Sequence, residues 1–270
     1  YGTALPYGLT LRRLLSHTAA MRGNGTNDGW GGMLDAFEAP TSWILLGYGC
    51  DGGCAFTNKT VWYDAALGTP ATAPYTYSNA GYEVVRGMLE DVRGEPFADI
   101  MQDEVFGPLG MTNTTYDILD PSWDARSAPG LDGNDASVAR RTYQWYAGGG
   151  VYATPEDYAK AMMVNIDQAG SSGYLPVSVT DQILTDQRAN DGTFYGFGVL
   201  LSQSQVDETS GRFAHGGYIP GYSWTRMVGV PSAGKGIVIM TNDTSLDARR
   251  LVCEIEDAFR TQNGIPSGGC

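Results

Sequence analysis

The possible folds of the chain are limited most by residues 193–262, where four short apolar segments precede one long amphipathic segment. The short segments span residues 193–202, 212–218, 222–230 and 236–241. Turn-forming residues separate them, and the stretch 231–235 (PSAGK) is typical of a hairpin turn. This pattern predicts an antiparallel sheet. The long segment predicts a helix over 245–262, stopped at Asn263-Gly264, that would cover one face of the sheet.

The first two-thirds of the chain predict a mainly helical lobe with many loops. Helical periodicity or cap signals are found at 10–16, 78–93, 96–106 and 154–168. The second of these has Ser78 as N-cap and Gly94 as stop. Its predicted apolar stripe consists of Tyr82, Val85, Met88, Leu89 and Val92. We therefore expect a helical lobe over 1–190 and a sheet with its helix over 191–270, together forming one domain.

Charge excludes several classes of partner. Lys and Arg number 17 against 30 Asp and Glu, which gives a formal charge of −13. An acidic surface repels phosphate backbones and anionic lipid, so we expect neither nucleic acid nor membrane as a partner. No apolar run approaches the roughly 18 residues that span a bilayer.

Cysteines and glycosylation sequons point to the extracellular space. The four sequons are Asn24-Gly-Thr, Asn58-Lys-Thr, Asn113-Thr-Thr and Asn242-Asp-Thr. Together with few Lys, they favour a secreted, extracellular glycoprotein. The four cysteines do not form a pair of CxxC motifs, and we expect no metal and no cofactor. Three disulfide connectivities are possible, and we favour Cys50–Cys54 with Cys253–Cys270; alternatively, one cysteine bonds to another chain.

The tripeptide Tyr77-Ser78-Asn79 is the first candidate for chemistry. The Tyr77 hydroxyl would lie just before a helix N-terminus, where the helix dipole and free N–H groups favour an anion and lower the pKa of a phenol. A phenolate there could act as a general base, and Asn79 could orient a carbonyl or amine beside it. A Ser N-cap preceded by a half-buried Tyr would explain the same residues without function.

The sequence His215-Gly216-Gly217-Tyr218, in a predicted strand, is the second candidate. Two glycines weaken a strand, which indicates the close approach of a ligand or another backbone. Exposed backbone N–H groups there could form an oxyanion hole, and a histidine can donate or accept a proton near neutral pH. The alternative is a β-bulge.

Other motifs are weaker. His17 ends a short predicted helix and is interpreted as a packed, hydrogen-bonded structural residue. Ser232-Ala-Gly-Lys235 matches S-x-x-K, but it lies in a predicted turn rather than on the helix that this motif requires. The sequence contains neither G-x-S-x-G nor H-E-x-x-H, so an α/β-hydrolase or zincin interpretation has no support.

Taken in order, six segments resemble the serine β-lactamase-like family, which includes class C β-lactamases, D-alanyl-D-alanine carboxypeptidases, D-aminopeptidases and related esterases. The matching segments are LTLRRLLSHTAAM (9–21), YTYSNAGYEVVRG (75–87), GPLGM (107–111), AGGGVYATPEDYAK (147–160), YGFGVL (195–200) and HGGYIPGYSWTRMVGVPSAGKGIVIMTN (215–242). The resemblance implies an α/β (α+β) fold of the β-lactamase/transpeptidase type, with an antiparallel sheet flanked by helices.

The resemblance also implies roles for individual residues. Tyr77 would shuttle protons to and from the nucleophile and leaving group, and Asn79 would contact the acyl side of the substrate and a catalytic Lys. His215 would stand where many members have the lysine of K-T-G. Gly216 and Gly217 would line the edge of the strand, and the Tyr218 N–H would be one oxyanion donor.

One element of the family pattern is not in this sequence. The S-x-x-K motif, which supplies the nucleophilic Ser and a Lys, precedes the LLSHT segment in the family, together with two strands and a helix. The sequence starts at Tyr1, shortly before LLSHT. We hypothesise that a separate N-terminal fragment of the same precursor carries S-x-x-K, after proteolytic processing, and stays bound through packing or a disulfide.

The function expected on these grounds is a secreted serine hydrolase. It would transfer the acyl group of an ester, amide or β-lactam through a covalent acyl-enzyme. A His at position 215, in place of a Lys that would hold a substrate carboxylate, favours esters or amides without that anchor. The alternatives are an inactive relative that keeps the cleft as a binding module, and a lectin-like or structural secreted protein.

Overall fold

The structure is a computed structural model of the whole chain. It describes residues 9–20, 73–118, 120–131, 136–138, 140, 146–167, 173–187, 194–201, 211–219 and 222–265. The helices within these ranges are α1 (Leu11–Leu15), α2 (Asn79–Arg93), α3 (Phe97–Met101, continued by a π-helical turn Gln102–Phe106), α4 (Tyr146–Gly149), α5 (Pro155–Ile166), α6 (Val177–Ile183) and α7 (Leu246–Gln262). The strands are β1 (Thr114–Thr115), β2 (Gly130–Leu131), β3 (Ser137–Val138), β4 (Tyr152–Ala153), β5 (Leu200–Leu201), β6 (Phe213–Ile219), β7 (Ser223–Val230) and β8 (Lys235–Thr241).

The predicted antiparallel sheet is present, with strand order β5-β6-β7-β8. The β6–β7 pairing is continuous from Phe213↔Gly229 to Ile219↔Ser223, and β7–β8 from Trp224↔Thr241 to Val230↔Lys235. A 3₁₀ turn at Pro231–Ala233 with Gly234 in the left-handed region (φ 63°) forms the predicted hairpin. The predicted strand over 193–202 is largely wrong: in its described part a tight turn, bridged from Tyr195 to Leu200, leaves only β5 as strand.

One face of the sheet packs on α5. Phe213 is fully buried, and its ring lies over Gly229, where a β-carbon would come within 2.2 Å of Phe213 Cζ. Met162 and Ile166 of α5 lie against Gly236 of β8 in the same way. These glycines therefore belong to the core, because they let large side chains approach the sheet backbone.

Four predicted helix starts are confirmed by their caps. Thr10 Oγ1, Ser78 Oγ, Thr154 Oγ1 and Ser245 Oγ each accept a backbone N–H in the first turn of the helix that follows. Helix α2 ends at Gly94, whose φ is 71°, the left-handed conformation that terminates helices. Sequence signals at helix ends are local, which explains why they were sufficient here.

The predicted apolar stripe of α2 is only partly buried, with Tyr82 and Val85 half-buried. Met88, Leu89 and Val92 are exposed, and Val92 is 82% exposed. The buried face of the helix carries Glu83 and Arg86 instead, whose side chains contact each other at 3.1 Å. The polar face is buried against α4, where Glu83 accepts the Gly148 N–H and Arg86 lies over the Tyr146 ring.

Some expectations lie outside the described residues. These include the sequons at Asn24 and Asn58 and the cysteines Cys50, Cys54 and Cys270, so both predicted disulfides stay predictions. Cys253 lies in α7. The division at residues 190/191 also stays a prediction. None of the described helices is long and apolar enough to cross a membrane.

Candidate active site

The start of α2 is fixed by His17, which follows α1. The Ser78 N–H donates to His17 Nδ1 (3.1 Å), and the Thr76 N–H donates to the His17 carbonyl (2.8 Å). Because Nδ1 accepts, the ring proton is on Nε2, which donates to the Tyr195 hydroxyl at 3.2 Å. These bonds hold the backbone of the Tyr77-Ser78-Asn79 segment in place.

The structural interpretation of His17 agrees with its surroundings. The residue is 4% exposed, and its ring contacts those of Tyr75, Tyr77, Tyr82 and Tyr195. Burial, with a smaller contribution from His215, lowers the pKa of His17 to about 3. His17 is therefore neutral at physiological pH and acts as a hydrogen-bonded support.

Tyr77 and His215 come together across the cleft. The Tyr77 hydroxyl lies 3.5 Å from His215 Nε2, at the outer limit of a hydrogen bond. Burial, followed by the charge of Arg226, lowers the pKa of His215, so this imidazole is neutral at pH 7. Two candidates found in separate motifs, 138 positions apart, thus form one pair.

The expected effect of the helix on Tyr77 is wrong. Burial raises the pKa of Tyr77 above its ordinary value of 10.0. The first amide that could have faced the phenol, that of Ser78, is already bound to His17. Burial therefore dominates over the helix dipole, and Tyr77 is a neutral phenol at pH 7 within the described residues.

Strand β6 has an open edge beside this pair. Strand β5 pairs only with Phe213 and Ala214, so residues 215–219 have β7 as their single strand partner in the described part of the sheet. The unbroken pairing of Gly216 with Arg226 and of Gly217 with Thr225 excludes a bulge. Alternate residues of an antiparallel edge strand direct their N–H and C=O groups outward, so this edge can offer amides to a substrate oxygen.

A glycine at position 217 is also needed for the packing of β6 against β7. A β-carbon at this position would lie 2.6 Å from Thr225 Oγ1 on the neighbouring strand. Both glycines and Tyr218 are exposed to the cleft. Glycine therefore serves both the pairing and the access to the strand edge.

The cleft has a volume of about 1000 Å³. All six predicted site residues line it, namely Tyr77, Asn79, His215, Gly216, Gly217 and Tyr218. Asn79, the first residue of α2, is 3% exposed. The two sequon residues within the described chain, Asn113 and Asn242, also line the cleft. The alternative S-x-x-K lies elsewhere, because Ser232 is in the β7–β8 turn and Lys235, the first residue of β8, donates from Nζ to Asn263 Oδ1.

Sequence reasoning missed Glu83, which binds the backbone of α4 beside the cleft. Glu83, one helical turn after Asn79, is fully buried and accepts the Gly148 N–H at 2.9 Å. It also pairs with Arg86, whose guanidinium lies 4.9 Å from the ring centre of Tyr146. Burial raises the pKa of Glu83 to about 7, against the opposing charge of Arg86. The i, i+4 spacing of Asn79 and Glu83 was the available signal.

The arrangement is that of a β-lactamase/transpeptidase fold of the hydrolase class. The chain matches the family model described as "Beta-lactamase" over residues 4–260, and it belongs to that family. The resemblance inferred from the sequence is confirmed.

Among curated proteins, the chain is similar to the D-alanyl-D-alanine-carboxypeptidase/endopeptidase AmpH of Escherichia coli (strain K12), with 31% identity over 86 residues, 32% of this chain and 22% of that protein. It is also similar to a D-aminopeptidase of Cereibacter sphaeroides (strain ATCC 17029 / ATH 2.4.9), with 26% identity over 185 residues, 66% of this chain and 34% of that protein. The chain thus spans between about a fifth and a third of the length of these relatives.

Solved structures support the fold. A penicillin binding protein from Bacillus halodurans has a TM-score of 0.68 at 21% identity, covering 94% of this chain and 75% of that one. The D-amino acid amidase from Ochrobactrum anthropi SV3 complexed with D-phenylalanine has a TM-score of 0.66 at 20% identity, covering 94% and 78%. At these identities the likeness establishes the architecture alone.

Proposed function

We propose that this chain is the larger, C-terminal part of a serine hydrolase that acts on an ester, amide or β-lactam by acyl transfer. The family supplies the class of enzyme. The observation that carries the proposal is the approach of Tyr77 to His215 at 3.5 Å beside the open edge of β6. This approach supports a role for Tyr77 in proton transfer beside backbone amides that could bind an oxyanion.

The proposed reaction has two steps. A serine Oγ attacks the substrate carbonyl and passes its proton to Tyr77, as the phenolate that the lysine of the bound fragment would stabilise, and the edge amides of β6 bind the developing oxyanion. Tyr77 then delivers a proton to the leaving group as the tetrahedral intermediate collapses to an acyl-enzyme. Water reverses the sequence: it loses a proton to Tyr77 and attacks the ester, and Tyr77 returns that proton to the serine Oγ as the acid is released.

The nucleophile would come from the proposed N-terminal fragment carrying S-x-x-K. The support for this fragment is an open edge of the sheet. Within the described residues, β8 pairs with β7 on one side and with no strand on the other. On α7, Leu246 and Leu251 are 83% and 56% exposed. An open strand edge beside exposed apolar side chains fits a strand and helix of the same domain.

Secretion, glycosylation, the disulfides and proteolytic processing belong to the same proposal. The Asn113 and Asn242 side chains are half-buried at the cleft. Asn242 Nδ2 donates to the Pro129 carbonyl at 2.7 Å, and a glycosylated Asn242 would keep one N–H for this bond. Peptide mapping after glycosidase treatment would show which of the four sequons are used.

The experiment is an intact-mass measurement of native protein, reduced and unreduced, after treatment with a fluorophosphonate or penicillin probe. We expect an N-terminal polypeptide that carries the label on a serine. A labelled serine within this chain would place the nucleophile elsewhere. Absence of both label and second polypeptide would favour an inactive relative that uses the cleft for binding.

A further inference from the structure

The charge of the cleft differs from that of the whole chain. The sequence contains 30 acidic residues, yet the described residues that line the cleft include no Asp, Glu or Lys. Arg126 is the one Lys or Arg among them. The cleft therefore has a positive group and no described carboxylate, in a protein of net charge −13.

Arg126 is held in position by neutral groups. Its guanidinium lies 4.4 Å from the ring centre of Trp123. Its Nη2 donates to Asn113 Oδ1 and, at 3.4 Å, to the Thr112 carbonyl. A stacked guanidinium keeps its planar fork ready for a carboxylate, and stacking restricts the side chain before a ligand arrives.

Arg126 also keeps its charge unpaired within the described residues, where no ion pair with a carboxylate is formed. The neighbouring Arg140 differs, since it forms an ion pair with Asp124 and donates to Ser127 Oγ at 2.9 Å. The protein thus neutralises the arginine next to the cleft and leaves the one that lines it available.

We propose that the cleft binds substrates with a carboxylate or a similar anionic group, anchored by Arg126, and disfavours substrates with a free ammonium group. This inference rests on the proposed hydrolase function. It replaces the expectation that the substrate lacks a carboxylate anchor, which was drawn from the histidine at position 215. The anchor here lies in a different segment of the cleft lining, between β1 and β2. An ammonium group would meet Arg126 with no described carboxylate to offset it.

The test uses native protein and two sets of chromogenic esters. In the first, the acyl group is varied among the 4-nitrophenyl esters of glutaric acid, monomethyl glutarate and 4-(trimethylammonio)butanoic acid. In the second, the leaving group is varied between butyrate esters of 4-hydroxy-3-nitrobenzoic acid and of its methyl ester. The variants are Arg126→Gln, Arg126→Lys and Arg249→Gln. Arg249 is the matched control, because it is an exposed arginine stacked on Trp224 outside the cleft lining.

We expect kcat/KM to favour the anionic ester over its neutral partner by about tenfold in at least one set, the effect of one charge-assisted contact. Arg126→Gln should remove most of that preference, Arg126→Lys should keep part of it, and Arg249→Gln should keep all of it. The inference is overturned by equal kcat/KM for anionic and neutral esters in both sets. A preference that survives in Arg126→Gln also overturns it.

A binding measurement separates the two proposals. Calorimetric titration with glutarate and with its diamide reports on the anchor without any turnover. If no ester is hydrolysed but glutarate binds in wild type and not in Arg126→Gln, the hydrolase proposal fails and the anion site stands. If neutral esters are hydrolysed and glutarate does not bind, the hydrolase proposal stands and the anion site fails.

Discussion

Replacing Glu83 by Gln tests the balance of forces at the buried face of α2. Burial raises the pKa of this carboxyl to about 7, and Arg86 and the Gly148 amide only partly oppose that rise. The unfolded chain titrates near the ordinary value of 4.5. Folding therefore favours the protonated form, and the stabilisation is complete below pH 4.5 and lost as pH rises to 7.

The magnitude follows from the size of the shift. A rise from 4.5 to about 7 corresponds to roughly 3 kcal/mol in the free energy of unfolding, lost between those two pH values. Gln cannot ionise, and its amide oxygen can still accept the Gly148 N–H. The stability of Glu83→Gln relative to wild type should therefore increase by roughly 3 kcal/mol from pH 4.5 to pH 8.

Urea unfolding followed by tryptophan fluorescence at several pH values measures this difference directly. The exposed Glu254 of α7 provides the control Glu254→Gln, which removes one carboxyl without disturbing the buried network. A difference between Glu83→Gln and wild type that stays constant with pH would refute the reasoning. It would mean that the attraction of Arg86 at least offsets the cost of burial, so that folding does not raise the pKa of Glu83.

Three further changes have defined outcomes. Tyr77→Phe should lower the rate of acylation by roughly 10² or more in rapid-mixing kinetics, and near-normal turnover would remove Tyr77 from proton transfer. Burial lowers the pKa of His215 below 6.5, so kcat/KM should fall on the acid side below pH 6.5 as this residue is protonated. The fall should vanish in His215→Gln, and a fall that persists in the variant belongs to another group. Gly229→Ala places a β-carbon 2.2 Å from Phe213 Cζ and should cost about 2 kcal/mol in thermal unfolding. Adding Phe213→Leu should recover part of that loss, and full additivity of the two changes would contradict the predicted clash.

The parts of the fold that sequence reasoning predicted are those that local signals determine. Ser78 and Gly94 mark the ends of α2 because an N-cap and a left-handed residue act within one turn. The strands β6, β7 and β8 follow from alternation and from the turn at 231–234. The strand predicted over 193–202 was largely wrong because the N–H groups of Phe197 and Gly198 donate to the carbonyls of Ile183 and Leu15. These partners are distant in sequence, so no local pattern predicts them.

The prediction of the buried face of α2 was partly wrong for a related reason. Its apolar residues predicted a buried stripe, whereas the helix buries Glu83 and Arg86 and exposes Val92. A pattern of hydrophobicity assumes that polar residues seek water, but an ion pair and a backbone amide satisfy these two inside the protein. Ordered motifs found the candidate site, because Tyr77 and His215 could be identified separately without knowing their distance.

The electrostatics of this pair give a physical reason to look for the proposed N-terminal fragment. A neutral His215 and a phenol whose pKa is raised by burial have no strong base between them at pH 7. A cation placed beside Tyr77 would lower the pKa of that phenol and make proton transfer from a serine feasible. In the described residues nothing offsets the burial of Tyr77, whereas the lysine of a bound S-x-x-K helix would. Adding the fragment to the isolated chain should therefore lower the pKa of Tyr77. Ultraviolet titration of wild type against Tyr77→Phe measures this pKa, and an unchanged value would mean that the fragment does not supply the charge that activates Tyr77.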